Sequence, residues 1–206
     1  MSARSRASIP SLILVTDRHA IAGRELVAVI EAALDEGLPA VQLRDKDLPG
    51  RPLFALAERL RVATARRGAL LFVNDRVDVA IAVGADGVHL GGGSMPVDVV
   101  RGLVGGEMTI GVSTHAPGEA PAGADFAVFG PVYATPGKTA VGEARLAAAV
   151  AAAAIPVLAI GGVTADRIAP VRRAGALGVA VIRAVLAADD PAAATRALLA
   201  GLEGAG

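Results

Sequence analysis

Polar side chains gather at a few places in an otherwise apolar chain, and their types point to the binding of anions. In V-Q-L-R-D-K-D, Val41–Asp47, strand geometry would put Gln42, Arg44 and Lys46 on one side and Val41 and Leu43 on the other. An amide and two cations turned inward call for an anionic ligand, unless neighbours such as Asp45 and Asp47 pair with them. Lys138, at the end of F-G-P-V-Y-A-T-P-G-K, is a third cation of this kind. Asn74-Asp75 precedes the apolar-periodic R-V-D-V-A-I-A-V. Asp75 either caps a helix there or, beside a diphosphate, holds Mg2+, which favours one or two carboxylates plus phosphate oxygens. Gly161-Gly162, ahead of Thr164, either makes a tight turn or presents backbone N–H groups and a helix start to a phosphate. His89 and His115 are acid–base candidates or hydrogen-bonded scaffolding. Ser113 has no evident base and orienting group, which argues against a nucleophile.

The elements that must hold these groups are written as short apolar runs of strand length: L-I-L-V, A-V-Q-L, A-L-L-F-V, G-V-H-L, M-T-I-G-V, F-A-V-F, P-V-L-A-I and G-V-A-V-I. Between them lie helix-spaced stretches, such as Leu26, Val29, Ile30, Ala33 and Leu34, or Leu53, Leu56, Ala57 and Leu60. Near-continuous apolar strands alternating with helices imply a parallel sheet covered on its faces. Gly37, Gly84, Gly123 and Gly175 are each expected to close a helix before an even-numbered strand. The last three belong to a faint repeat, G-A-D-G-V, G-A-D-F-A and G-A-L-G-V. Eight strand–helix units in 206 residues predict a single (β/α)8 TIM barrel at the short end of its size range. An open doubly wound sheet is the alternative, but the first strand ends in T-D-R-H, with no glycine-rich turn. The expected domain spans residues 1–206, with 1–8 and 203–206 frayed. In a barrel, the polar groups above fall at the C-terminal strand ends, where such folds place their sites: Gln42, Arg44 and Lys46 after strand 2, Asn74 and Asp75 after strand 3, His89 and Gly91-Gly92-Gly93-Ser94 after strand 4, Ser113 and His115 after strand 5, Thr135 and Lys138 after strand 6, Gly162 after strand 7, and Ile182 and Arg183 after strand 8.

Bulk properties narrow the classes. Twenty basic residues balance twenty acidic ones and aromatics are 2%, so neither a positive field nor a stacking platform favours nucleic acid. Mean hydropathy is +0.55, yet the longest apolar run, Leu146–Val163, contains Pro156 and Gly161-Gly162 and reads as a buried helix followed by a buried strand. The N-terminal M-S-A-R-S-R-A-S-I-P is a poor signal peptide. With no cysteine, disulfide and thiolate chemistry are excluded. A cytoplasmic protein without membrane or nucleic-acid partners is expected. On residues alone, the barrel would bind a diphosphate with its metal and a separate phosphate, a pairing that suits group transfer from a diphosphate leaving group to a phosphorylated acceptor.

Six ordered motifs carry a resemblance over nearly the whole chain: Q-L-R-D-K (42–46), V-N-D-R-V-D-V-A (73–80), G-A-D-G-V-H-L (84–90), G-V-S-T-H (111–115), F-G-P-V-Y-A-T (129–135) with Lys138, and I-P-V-L-A-I-G-G-V (155–163). Together they resemble the thiamine-phosphate synthase and TenI superfamily, and the synthase branch most. The resemblance implies a transferase of thiamine biosynthesis that condenses hydroxymethylpyrimidine diphosphate with a thiazole phosphate and releases pyrophosphate. It implies that Gln42, Arg44, Asp45, Lys46, Asn74, Ser113 and Lys138 surround the pyrimidine diphosphate, with Arg44, Lys46 and Lys138 as the catalytic cations. Asp75 would bind Mg2+, and Thr135, Pro136, Gly137, Gly162, Ile182 and Arg183 would line the thiazole-phosphate site. This chain departs from the pattern at Ser94, where the synthases carry a second metal-binding Asp; at Thr135-Pro136-Gly137, which lacks a second Thr; and at Arg183, usually Ser. The strand-4 loop is closer to the tautomerase branch, whose histidine is replaced here by Pro131. The alternative implied by the resemblance is a TenI-like paralogue that binds thiazole or thiamine phosphate without transferase activity.

Overall fold

A computed structural model describes residues 8–21 and 23–204, so most of the expected terminal fraying lies outside the described residues; Glu203, however, is still helical. Eight parallel strands form a closed barrel in sequence order: β1 (Leu12–Val15), β2 (Ala40–Leu43), β3 (Leu70–Asn74), β4 (Gly87–Leu90), β5 (Thr109–Thr114), β6 (Phe126–Phe129), β7 (Val157–Ile160) and β8 (Gly178–Val181), with β8 pairing back to β1. The helices are α1 (Leu26–Asp35), α2 (Gly50–Arg66), α3 (Val77–Val83), α4 (Val97–Val104), α5 (Glu143–Ala152), α6 (Ile168–Arg173, after a 3₁₀ turn at Ala165–Arg167), α7 (Arg183–Leu186) and α8 (Pro191–Glu203). Leu146–Val163 divides into α5 and β7, and no helix among the described residues is long and apolar enough to cross a membrane.

Two expectations need correction. The strand–helix alternation is not complete, because no helix joins β5 to β6. Gly123 has the expected positive φ of 88° but closes a loop rather than a helix. That connection carries Pro117 and Pro121, which lack the N–H a helix interior needs. The eighth helix comes instead after β8, where Asp190 accepts the N–H of Ala193 (2.9 Å) and Pro191 takes the first turn of α8. Secondly, β2 stops at Leu43, so Arg44 and Lys46 lie on a loop rather than on a strand face. The buried Thr16 hydroxyl ends the strand: it accepts the Arg44 N–H (2.8 Å) and donates to the Arg44 carbonyl (3.1 Å).

The faint repeat has a structural reason. Asp86 in the first copy accepts the Leu71 N–H of β3 (2.8 Å) and pairs with Arg61 (2.6 Å). Asp125 in the second copy accepts the Ile110 N–H of β5 (2.8 Å) and pairs with Arg101 (2.7 Å). In the third, Leu177 replaces the aspartate and Arg172 donates to the Leu177 and Ala176 carbonyls instead (2.6 and 2.7 Å). These groups tie strands at the N-terminal rim and leave the other rim for chemistry.

The core has two parts. Ile13, Val15, Ala40, Phe72, Phe126, Val128, Leu158 and Ala180 fill the barrel interior, and a larger set lies between strands and helices. Phe72 and Phe126 meet edge to face, with centroids 5.6 Å apart. They fit because Gly87 and Gly111 face them: a Cβ on Gly87 would lie 2.5 Å from the Phe72 ring, and one on Gly111 would meet Phe126 and come within 2.8 Å of His89 Nδ1. Gly111→Ala is therefore expected to destabilise the barrel by about 1–3 kcal/mol through overpacking, read as a lower urea midpoint at unchanged slope.

Candidate active site

Period-two geometry carries the interior positions upward to the C-terminal rim. Two residues beyond the interior Ala40, Phe72, Gly87 and Gly111 stand Gln42, Asn74, His89 and Ser113, so β2 to β5 end in a polar layer above the apolar ones. The layer is connected. The buried Gln42 donates from Nε2 to Asn74 Oδ1 (3.2 Å), and Asn74 donates from Nδ2 to Asp75 Oδ2 (2.7 Å). Ser94 Oγ donates to Asp75 Oδ1, and the Gly91 N–H reaches both Ser94 Oγ (2.6 Å) and Asp75 Oδ1 (3.4 Å). Ser94, at the position where the resemblance implies a second metal-binding aspartate, is thus brought directly onto Asp75. Among the described residues Asp75 alone has a positive φ without being glycine, at 60°. Such a conformation persists when its surroundings hold it, and it turns the carboxylate toward the β4 loop. The capping alternative fails: α3 begins after Arg76 with no side-chain cap.

The three cations are not used by their neighbours. Asp45 pairs with Arg18 (2.7 Å) and accepts the N–H groups of Asp47 and Leu48 (both 3.0 Å), while Asp47 lies 3.8 Å from Arg18 and 3.6 Å from His19 Nε2. The carboxylates that could have neutralised Arg44 and Lys46 are held by the loop after β1. Asp45, assigned to the substrate set from sequence, closes the β2 loop with a side chain only 6% exposed. Arg44, Lys46 and Lys138 have no ion pair among the described residues; Arg44 is half-buried and the two lysines are exposed. Arg18 and Thr16 escaped the sequence reading because their partners are 27 and 28 positions away or more; the only signal was the polar T-D-R-H ending β1.

His89 is 3% exposed, and its Nε2 lies 2.9 Å from Ser113 Oγ. Burial pushes its pKa down to about 4; the Asp75 carboxylate opposes the drop and the Arg44 guanidinium adds to it. The ring is therefore neutral at pH 7. His115 lies exposed on the rim with Nδ1 2.7 Å from the Gly130 carbonyl, and Glu119 accepts the N–H groups of His115 (2.6 Å) and Ala116 (2.9 Å). The two histidines are not a pair. A cleft of about 630 Å³ runs between the β4 and β5 loops past Gly91, Ser94, Met95, Val112, Ser113 and His115, a size that holds small ligands.

The other half of the rim is built by the loops after β6, β7 and β8. Thr135 and Lys138 exchange backbone hydrogen bonds (3.3 and 2.9 Å) around Pro136-Gly137, with Gly137 at φ 76°, the arrangement a type II turn calls for. The turn uses the N–H groups of Thr135 and Lys138 and projects the lysine from a tight hairpin. Gly161 and Gly162 also have positive φ, 98° and 61°, and a Cβ on either would collide with the β6 loop at Pro131 or Tyr133. Arg167 donates to the Gly162 carbonyl (2.6 Å) and stacks 4.5 Å from the Tyr133 ring centre, and Tyr133 donates to Glu143 (2.7 Å). This clamp between two loops has no local sequence signature. Among the described residues the N–H groups of Gly162 and Ile182 have no backbone acceptor, and Arg183 lies exposed beside them. The rim thus offers one half with unpaired cations and a carboxylate, and another with free backbone donors. The first suits a metal-associated polyanion and the second a phosphate.

The family model described as thiamine monophosphate synthase matches residues 12–185. A Roseiflexus castenholzii protein named thiamine-phosphate synthase is 46% identical over 90% of this chain and 85% of its own. One of the same name from Natronomonas pharaonis is 43% identical over 93% and 94%. Among solved structures, thiamine phosphate pyrophosphorylase from Pyrococcus furiosus superposes with a TM-score of 0.87 at 37% identity, covering 95% of this chain and 96% of its own.

Proposed function

Because the chain belongs to the thiamine monophosphate synthase family and is a transferase of thiamine biosynthesis, we propose that its rim joins hydroxymethylpyrimidine diphosphate to a thiazole phosphate, giving thiamine phosphate and pyrophosphate. The observation that carries this reading is the set of three cations with no ion pair among the described residues, while the nearby Asp45 is held by Arg18. A pure binder of a monophosphate has no use for them.

The diphosphate would lie between Arg44, Lys46 and Lys138, with the pyrimidine over the Gln42–Asn74 amides. Departure of the diphosphate breaks the methylene C–O bond, and the electron pair leaves on oxygen. The positive charge is delocalised into the aminopyrimidine until the thiazole nitrogen donates its lone pair and the C–N bond forms. No side chain needs to bond covalently to substrate. The protein neutralises charge on the leaving group and holds the acceptor in line. The free N–H groups of Gly162 and Ile182, with Arg183 and the Thr135 side chain, support a phosphate-anchoring role for the opposite loops.

Mg2+ belongs to this reading as a partner of the diphosphate. No group of three or more His, Asp or Glu able to hold a metal occurs among the described residues, so an all-protein cage is not the expected form. Asp75 alone fits the way Mg2+ sits on phosphorylated ligands, with one carboxylate and the remaining positions taken by phosphate oxygens and water. Bound there, the ion would supply further charge neutralisation at the leaving group. Ser94 would contribute at most a neutral oxygen, through the lone pair its bonds to Asp75 and the Gly91 N–H leave unused. We place the protein in the cytoplasm, where charged phosphorylated substrates are retained.

The test is incubation of the purified protein with both substrates, with and without Mg2+. Thiamine phosphate and pyrophosphate should appear in equal amounts, faster with the ion. Binding of thiazole phosphate without product would establish the non-catalytic paralogue instead.

A further inference from the structure

We propose that His89 is a positioning residue: its Nε2–H holds the Ser113 oxygen as an acceptor, so that the Ser113 hydroxyl hydrogen is delivered to the leaving diphosphate. The inference rests on the transferase reading above and adds a residue to it.

His89 Nε2 is 2.9 Å from Ser113 Oγ, while Nδ1 is buried with no hydrogen-bond partner among the described residues. Nδ1 faces the Gly111 backbone, where an added Cβ would lie 2.8 Å away, and the Phe126 ring is tilted against the imidazole with centroids 6.0 Å apart. A proton on Nδ1 would be a buried donor with nothing to receive it, at a cost of about 1–3 kcal/mol. A bare acceptor in the same place is the milder defect, since orphaned N–H groups are the rarer kind. The proton therefore sits on Nε2, and the bond runs from His89 to Ser113.

That direction has a consequence for Ser113. A hydroxyl that accepts from a fixed N–H must send its own hydrogen elsewhere, and no acceptor for it occurs among the described residues. Ser113 is half-buried and lines the open cleft beside Ser94, so the hydrogen is free to turn outward, and the acceptor assigned to it here is an oxygen of a diphosphate held by the Arg44 side of the rim. The same geometry excludes a nucleophilic serine. Nδ1 meets no carboxylate that could orient the ring as a base, and Nε2 already carries the proton it would have to take. Gly111 belongs to the device, because any side chain there would push the imidazole off this line.

The test uses Ser113→Ala, His89→Leu, His89→Gln, His89→Asn and the double variant His89→Leu/Ser113→Ala. Each is read by kcat, by KM for both substrates, and by calorimetric binding of inorganic pyrophosphate. His89→Leu is expected to lower kcat and weaken pyrophosphate binding by about tenfold each, the loss of one hydrogen bond to a charged group, with KM for the thiazole phosphate unchanged. Glutamine, whose amide reaches Oγ as a donor, should restore most of the loss. Asparagine, one methylene shorter, should not, and it serves in place of leucine if that variant fails to fold. In the double variant the leucine should add nothing to Ser113→Ala. Equal losses for glutamine and leucine, additive losses in the double variant, or no loss for leucine and asparagine would each overturn the inference. A wild-type protein that forms no product would sink the transferase reading alone, since the pyrophosphate series still decides how the hydroxyl is aimed.

Discussion

Replacing Arg44 with alanine is expected to lower kcat/KM for the diphosphate substrate by about 10²- to 10³-fold, the scale for removing one preorganised donor from a transition-state anion. The guanidinium is half-buried, close enough to the buried His89 to depress its protonation, and has no carboxylate partner among the described residues. It is thus held ready for a ligand, and its planar fork suits bidentate contact with phosphate oxygens. Lysine at this position should recover only part of the loss, because a point charge replaces the fork. Lys46→Ala should cost less, about tenfold, since an exposed ammonium is screened by water. Neither change should disturb folding. The structural bonds at position 44 run through its N–H and carbonyl to Thr16, and alanine keeps both. Kinetics of each variant, beside thermal unfolding, check the point. Loss of cooperative unfolding would show that the cations are structural.

Asp75→Asn should lower the rate at limiting Mg2+ by about 10²-fold and raise the Mg2+ concentration needed for half-maximal rate, because it removes the carboxylate proposed above to hold the ion. Asparagine keeps one acceptor oxygen for the Ser94 hydroxyl, but its NH2 cannot receive the Asn74 N–H that now goes to Oδ2, so thermal unfolding is measured beside the rate to separate loss of that bond from loss of the ion. Ser94→Asp is the reciprocal experiment. The serine hydroxyl now donates to Asp75 Oδ1, so an aspartate there brings two carboxylates together. Without a cation they repel and one is driven to hold a proton. The variant should melt below the wild type in chelator, regain stability as Mg2+ is added, and need less Mg2+ for half-maximal rate. The wild type should show little such shift until pyrophosphate is also present. Full activity of Asp75→Asn at limiting Mg2+ would remove the metal assignment, and with capping excluded by the geometry of α3 would leave Asp75 as a loop brace.

The eight strands could be read directly from the chain because each is a buried apolar run, and burial acts on residues a few positions apart. The same locality placed Gln42, Asn74, His89 and Ser113 correctly, since period two carries an interior position at Ala40, Phe72, Gly87 or Gly111 onward to the rim. It misled where a repeat was extended too far. The glycine at 123 matched its counterparts at 84 and 175, yet Pro117 and Pro121 leave a loop where the pattern asked for a helix. What the chain could not announce is which charged groups cancel. Asp45 stands next to Arg44 and Lys46 in sequence but pairs with Arg18, and Asp75 meets the Ser94 hydroxyl from another loop. Those pairings exist because parallel strand pairing sets the C-terminal ends of β1 and β2, and of β3 and β4, side by side. An ion pair or hydrogen bond is governed by distance in space, falling off within a few ångströms, and that distance is fixed only when strands far apart in the chain have paired.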